Sequence, residues 1–189
     1  MPQGCPKNER NSIFSVNFAQ TTAGMVRIRT ATLNDTEIIR NIAQDVWWPA
    51  YSNILSKEQI AYMLELFYNA ETIGLQIQTG QQEYLLLEAD SKPVGFASYA
   101  PRDENPGVYK LHKLYCKVQV HGKGYGRQLM HAVEESAKRK GGVRLELNVN
   151  RYNPAKNFYE KSGYTILYEE DIDIGHNYWM NDYVMGKDL

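Results

Sequence analysis

The chain has 189 residues, 43% hydrophobic and 23% charged, with 21 basic and 22 acidic side chains and a formal net charge of -1. That length suits one domain able to bury a core without disulfide or metal staples. The charge balance excludes a general basic field that would draw the chain to nucleic acid or an anionic membrane, and no apolar run approaches the roughly 18 residues needed to cross a bilayer.

Residues 1–24, "MPQGCPKNERNSIFSVNFAQTTAG", have little apolar periodicity and lack the apolar core of a secretory signal, so they read as a flexible extension ahead of a single domain over 25–189. Cys5 falls in that polar tail and Cys116 in an apolar run, which points to two reduced thiols in a cytoplasmic protein rather than a disulfide framework. The histidines and cysteines show no ligand spacing such as C-x-x-C or H-E-x-x-H, so no metal is expected.

From Met25 the chain alternates apolar and basic residues, a short strand with Val26 and Ile28 on one face. Thr32 and Asp35 resemble a capping pair, and Ile38, Ile39, Ile42 and Val46 then recur at helical spacing. That helix should end near Trp48, since Pro49 disfavours helical geometry at the residue before it. Ser56 and Gln59 form a second capping box ahead of Ile60, Met63, Leu64 and Phe67, and a further helical turn or two follows in "AETIGLQIQT". "EYLLLEAD" and "KPVGFASYA" read as a hairpin closed at "DSK", followed by the longer strand "GVYKLHKLYC". After a glycine-rich loop, Leu129, Met130, Val133 and Ala137 mark a helix face, with Lys138, Arg139 and Lys140 at the dipole's negative end and Gly141 and Gly142 as the stop. "VRLELNV" is the next strand. Asn153 as N-cap, Pro154 at the first helical position and Gly163 as the stop then define a short helix, and "YTILYEE" and "YWMNDYVMGK" close the chain as two strands. The order is βααβββαβαββ, a mixed α/β class with a largely antiparallel sheet.

Three phosphate-binding templates compete for the loop "HGKGYG". A Walker-type loop is excluded, because no glycine pair has the required spacing before Lys-Ser or Lys-Thr. The dinucleotide fingerprint G-x-G-x-x-G fits Gly122 and Gly124 but meets Arg127 where the third glycine belongs, and a hairpin rather than a β-α-β unit precedes it. The third template is the [RQ]-x-x-G-x-[GA] loop of the GNAT acetyltransferase superfamily, set between a long strand and a helix. "HGKGYG" resembles it at Gly124 and Gly126, with His121 where Arg or Gln is usual. Successive backbone N–H groups from Gly122 through Lys123, Gly124, Tyr125 and Gly126 to Arg127, at a helix N-terminus, suit a pyrophosphate, and side chains at 124 or 126 would stand in its way.

A second motif of that family, A-x-x-F-Y-x-K-x-G-[FY], is reproduced by "AKNFYEKSGY" from Ala155 to Tyr164. The resemblance implies the GNAT acyl-CoA N-acyltransferase fold, with splayed central strands, and acetyl-CoA as co-substrate. It covers the element order from Met25 to Leu189 and is specific over Lys113 to Tyr164. Attack of a neutral amine on the thioester passes through an oxyanion and expels a thiolate, so base, N–H donors and acid are needed. The family match makes Tyr159 the acid that protonates the sulfur. It puts the backbone of Leu114 and Cys116 against the pantetheine amides, and lets Asn153 both cap its helix and touch the cofactor. His112 stands where some members carry a glutamate base, and an imidazole can accept the amine proton directly or through water. Glu83 and Glu104 are weaker alternatives.

The link "VWWPAYSNIL" resembles the corresponding region of relatives of polyamine acetyltransferases, so Trp47, Trp48 and Tyr51 are candidates for an amine pocket lined by cation–π contacts, against their alternative as core. The acidic run "EEDIDIGHN" would attract a polycation or simply form a solvated turn. The expectation is acetyl transfer to a primary amine of a small molecule, a polyamine in preference, with no nucleic-acid or membrane partner and a homodimer left open. A protein N-terminal or lysine acetyltransferase shares every motif, and a non-catalytic acyl-CoA sensor is the alternative from another class.

Overall fold

The computed structural model describes residues 25–189, so the N-terminal extension and Cys5 lie outside the described residues. Its frame is one seven-stranded sheet in the order β1-β2-β3-β4-β5-β7-β6. The strands are β1 (Val26–Thr30), β2 (Glu83–Ala89), β3 (Lys92–Pro101), β4 (Val108–Cys116), β5 (Arg144–Asn150), β6 (Thr165–Asp173) and β7 (Trp179–Asp188). Every neighbouring pair is antiparallel except β4 and β5. Five helices flank it: α1 (Thr36–Tyr51), α2 (Lys57–Tyr68), α3 (Ala70–Thr79), α4 (Tyr125–Arg139) and α5 (Ala155–Lys161).

The alternation of side chains along the strands divides the apolar residues between two cores. On one face α1, α2 and α3 cover β1 to β4 through Ile39, Ile42, Trp47, Ile60, Ile73, Tyr84 and Phe96. On the other, α4 packs Leu129, Met130, Val133 and Ala137 onto Leu87, Tyr99, Leu111, Leu145 and Leu147. Beyond β4 the first of these covers reaches the turn between β6 and β7, where Ile174 and Met180 pack with it and the Tyr62 hydroxyl of α2 donates to the Ile174 carbonyl at 2.6 Å.

Two elements differ from their sequence expectations. The segment "AETIGLQIQT" is a full ten-residue helix, capped by the Asn69 side chain on the Thr72 amide at 2.8 Å and closed by Gly80 in a left-handed conformation. The first helix does not end at Trp48: it carries Pro49 inside it and continues to Tyr51. A proline there removes one hydrogen bond, to the Asp45 carbonyl, in the last turn alone. The rings of Trp47 and Tyr51, one turn apart with centroids 4.5 Å from each other, hold that turn on the core.

The capping signals read from the sequence do operate. Ser56 accepts the Gln59 amide at 3.1 Å. The Asp35 carboxylate accepts the Thr32 amide at 2.8 Å and also two bonds from Arg29, at 2.7 and 2.8 Å, which hold its carboxyl down at about 2.

Candidate active site

β4 and β5 run in register only from Val108 opposite Arg144 to Leu111 opposite Leu147. The cause of their parting lies in β4. Against β3, Ser98 faces Lys113 and Tyr99 faces Leu111, so His112 is an extra residue, a β-bulge that bends the strand away from its parallel neighbour. The bulge also resets the alternation: Tyr109, Leu111, Leu114 and Cys116 pack with the α4 core, while Tyr115 joins the α1 core. Beyond Leu111 the edge of β4 that faces β5 has no strand partner among the described residues, and its backbone groups are available to another chain-like molecule.

The opening is a cleft of about 950 Å³. Its walls bring together most of the residues singled out in the sequence. His112, Leu114 and Cys116 come from β4; His121, Gly122, Gly124, Tyr125, Gly126 and Arg127 from the loop and first turn of α4; Asn153 and Tyr159 from the start and middle of α5; and Tyr51 from the end of α1. Lys123 sits in the same loop with its side chain exposed outside the cleft lining.

Gly122 and Gly124 have φ of +79° and +78°, the left-handed region, and a Cβ built on either would meet nothing within 4 Å. Their need for glycine is therefore conformational, with open space in front of them. Gly126 is different: its φ is ordinary and an added Cβ would lie 3.7 Å from Phe158 of α5, an ordinary contact, so none of the described residues requires glycine there. The Gln128 amide already bonds the Gly124 carbonyl, and the amides of Tyr125, Gly126 and Arg127 in the first turn have no acceptor within the helix. The Tyr125 side chain itself is buried in the α4 core. His121 turns its ring back onto the loop, Nε2 to the Cys116 carbonyl at 3.0 Å. A carbonyl only accepts, so this nitrogen carries the proton, and the side chain pins the loop to the end of β4.

Tyr159 stands on α5 with its ring edge-on to Phe158 and Tyr164, at 5.3 and 6.1 Å. Burial, with the nearby Tyr51 as a lesser cause, raises its hydroxyl above the ordinary phenol range, so it is protonated at neutral pH. Burial likewise pushes the Cys116 thiol up to about 11. The His112 ring is open to the cleft, yet desolvation and the cations Lys113, Lys110 and Arg102 push it down to about 3, which leaves the imidazole neutral at physiological pH. Asn153 caps α5 by accepting the Ala155 amide at 2.9 Å.

Other candidates are placed elsewhere. Trp47 is 3% exposed and packs on Tyr51, Tyr68 and Tyr115, behind the cleft wall rather than in it. Trp48, 40% exposed, points away from Trp47 and lines a separate shallow groove with Arg40, Gln44 and Glu65. Adjacent helical positions lie about 100° apart, so only the residue four beyond Trp47, Tyr51, shares its side of the helix. Glu83 pairs with Lys140 and accepts the Tyr99 hydroxyl, and Glu104 lies in the turn between β3 and β4; neither lines the cleft.

Sequence reasoning missed Asn148, Lys113 and Tyr115, all of which line the cleft. Lys113 is 6% exposed, its Nζ 2.8 Å from the Gln82 side chain and 5.3 and 5.7 Å from the ring centres of Tyr84 and Tyr68. Burial pushes it down to about 7. Only the bulge at His112, which no spacing rule reveals, turns Lys113 into that core.

A splayed parallel pair, a glycine loop at a helix N-terminus and a tyrosine-bearing helix define an acyl-CoA N-acyltransferase architecture. The family model described as an acetyltransferase (GNAT) domain matches residues 52–178, and the chain belongs to that family. Among its relatives, the spermidine N(1)-acetyltransferase of Thermoplasma acidophilum is 28% identical over 167 residues, 86% of this chain and 96% of that protein. An uncharacterized N-acetyltransferase of Mycobacterium tuberculosis is 27% identical over 158 residues, 83% of this chain and 99% of the relative. The crystal structure of the PaiA N-acetyltransferase from Thermoplasma acidophilum in complex with coenzyme A superposes with a TM-score of 0.74 at 27% identity, covering 87% of this chain and 99% of that one.

Proposed function

We propose that the protein transfers the acetyl group of acetyl-CoA to a primary amine of a small molecule, a polyamine in preference, by direct attack in a ternary complex. The observation that carries this reading is the parting of β4 from β5 after Leu111 beside a loop whose two left-handed glycines face open space. An unpaired strand edge suits the amides of a pantetheine arm, and the first-turn amides of α4 suit a diphosphate. The residues present fit coenzyme A: Leu114 and Cys116 would hold the arm, and the backbone from Gly122 to Arg127 the phosphates. Acetyl-CoA supplies the acetyl group as an activated thioester.

The chain's own groups divide the remaining work. Tyr159 holds a proton above the cleft floor and would give it to the departing sulfur. Neutral His112, on the open face, has a lone pair for the amine proton; its lowered basicity favours passage through water over a stable imidazolium. A Cys116 thiol that stays protonated disfavours an acyl-cysteine intermediate and supports direct transfer. Pro49, Ala50, Tyr51, Asn53 and Ile54, at the end of α1 and in the turn after it, line the cleft, which favours a small acceptor over a folded protein surface. The likeness to a spermidine acetyltransferase supports a polyamine.

A thiol-release assay with acetyl-CoA across polyamines, aromatic amines, amino acids and peptides tests the reading. Tyr159→Phe should lower kcat at least about a hundredfold while the dissociation constant for coenzyme A stays the same. Unaltered turnover would remove Tyr159 from the mechanism, and absence of thiol release with every amine would remove the enzyme reading.

A further inference from the structure

We infer that Asp182, Glu170 and Asn148 form a subsite for a second, non-reacting ammonium group of the acceptor, on the face of β5, β7 and β6 that adjoins His112. The inference rests on the acetyl-transfer reading for its setting and names the substrate class as an amine with two cationic nitrogens.

The sheet register places the three residues together. Asp182 of β7 lies opposite Asn150 of β5 on one side and Glu170 of β6 on the other, and Asn148 is two residues before Asn150 on the same face. The parallel pairing of Lys110 with Glu146 puts His112 and Asn148 next along the same face, across the mouth of the cleft that both line. Asn148 lines the cleft, with Asp182 and Glu170 one and two strands behind it, so Asn148 joins the subsite to the place where the amine must meet the thioester.

The remaining acidic side chains of this region are already engaged. Glu169 and Asp171 both pair with Arg151, and the Asp173 carboxylate accepts the Gly175 amide at 2.8 Å. Arg102 pairs with Glu146 at 3.0 Å. Among the described residues, Glu170 and Asp182 have no such cation. Lys110 is close enough for each carboxylate to act on it but forms no ion pair with either among the described residues. Asp182 is only 6% exposed, and burial, with Glu170 as a further cause, pushes its carboxyl up to about 6 in spite of Asn148, Lys110 and Arg151. Its charge also reaches the Tyr51 hydroxyl on the cleft wall.

Asn148 supplies an independent sign of an absent donor. Its Nδ2 donates to Glu170 Oε2 at 3.0 Å, while its buried Oδ1 accepts nothing from the described residues. A buried acceptor without a partner costs about 1–3 kcal/mol. A primary ammonium carries three N–H donors and one positive charge, which answers two carboxylates and an orphaned carbonyl together.

The test is a calorimetric titration of 1,4-diaminobutane and of butylamine into the protein at pH 7.5, with and without coenzyme A. The diamine should bind at least about tenfold tighter than the monoamine, and Asp182→Asn and Glu170→Gln should each remove most of that preference without changing coenzyme A affinity. Should the Asp182 variant fail to fold, the Glu170 variant decides. Equal affinity for the two amines in the unaltered protein, or a preference that survives in the folded variants, overturns the subsite. Binding is read apart from turnover: diamine preference without acetyl transfer keeps the subsite and loses the enzyme reading, and transfer without preference does the reverse.

Discussion

Lys113 illustrates what a single residue reveals only in three dimensions. As a sequence letter it belongs to a polar-apolar alternation, and spacing alone gives no reason to bury it. In the fold it has aromatic rings and two glutamine side chains around it and, among the described residues, no carboxylate partner, so its charged form is disfavoured relative to the unfolded chain. The native pKa of about 7 lies below the ordinary lysine value near 10.5, and the unfolded state therefore binds more protons between those values. Stability should rise with pH across that window, by up to about 1.4 kcal/mol per pH unit between pH 7 and 9. Thermal unfolding of the Lys113→Met variant should show a higher Tm at pH 7 and a flatter dependence on pH; an unchanged slope would mean that Lys113 stays charged in the fold. The motif residues were legible for the opposite reason. Gly122 and Gly124 have left-handed φ values that other residues rarely adopt, and Tyr159 falls in a family pattern of fixed spacing.

Among the elements, β4 carries the cleft, and its shape depends on its neighbour β3. A Cβ added at Gly95 would stand 2.8 Å from the Tyr115 carbonyl oxygen and 2.9 Å from the Cys116 sulfur, so β4 sits on β3 more closely there than a side chain permits. Gly95→Ala must displace the strand edge that faces the cleft. We expect a loss of about 1–3 kcal/mol in stability, the range typical of overpacking, together with weaker coenzyme A binding. Chemical denaturation and calorimetry read the two effects, and a variant with unchanged affinity would show that the position of this edge does not matter to the ligand. Strand and helix positions were largely readable from periodicity and caps, as with Ser56, Asn153 and the Leu129 face. The bulge at His112 and the continuation of α1 past Pro49 were not. Both are decided by packing against partners distant in sequence, which overrides the local preference.

At the scale of the whole molecule, the two cores divide the labour. The α4 face anchors the glycine loop and α5, and the α1 to α3 cover reaches across to the turn between β6 and β7. The order of elements, and hence the family fold, was accessible from the sequence because its two motifs flank the strand that splays. The proposed acceptor subsite was not, because Asn148, Glu170 and Asp182 lie on three strands that are adjacent only through the β5-β7-β6 order. The aromatic pair Trp47 and Trp48 drew attention instead, and one of them packs in the core while the other faces a different groove.

The central claim is that the parted strands and the glycine loop together hold coenzyme A. Amide hydrogen exchange measured with and without acetyl-CoA addresses it residue by residue. The account predicts slowed exchange in two separate segments, 112–116 along the free edge of β4 and 122–127 at the start of α4, with little change in β1 and β2. Ligand-dependent protection confined to other segments, or no protection at saturating acetyl-CoA, would contradict it.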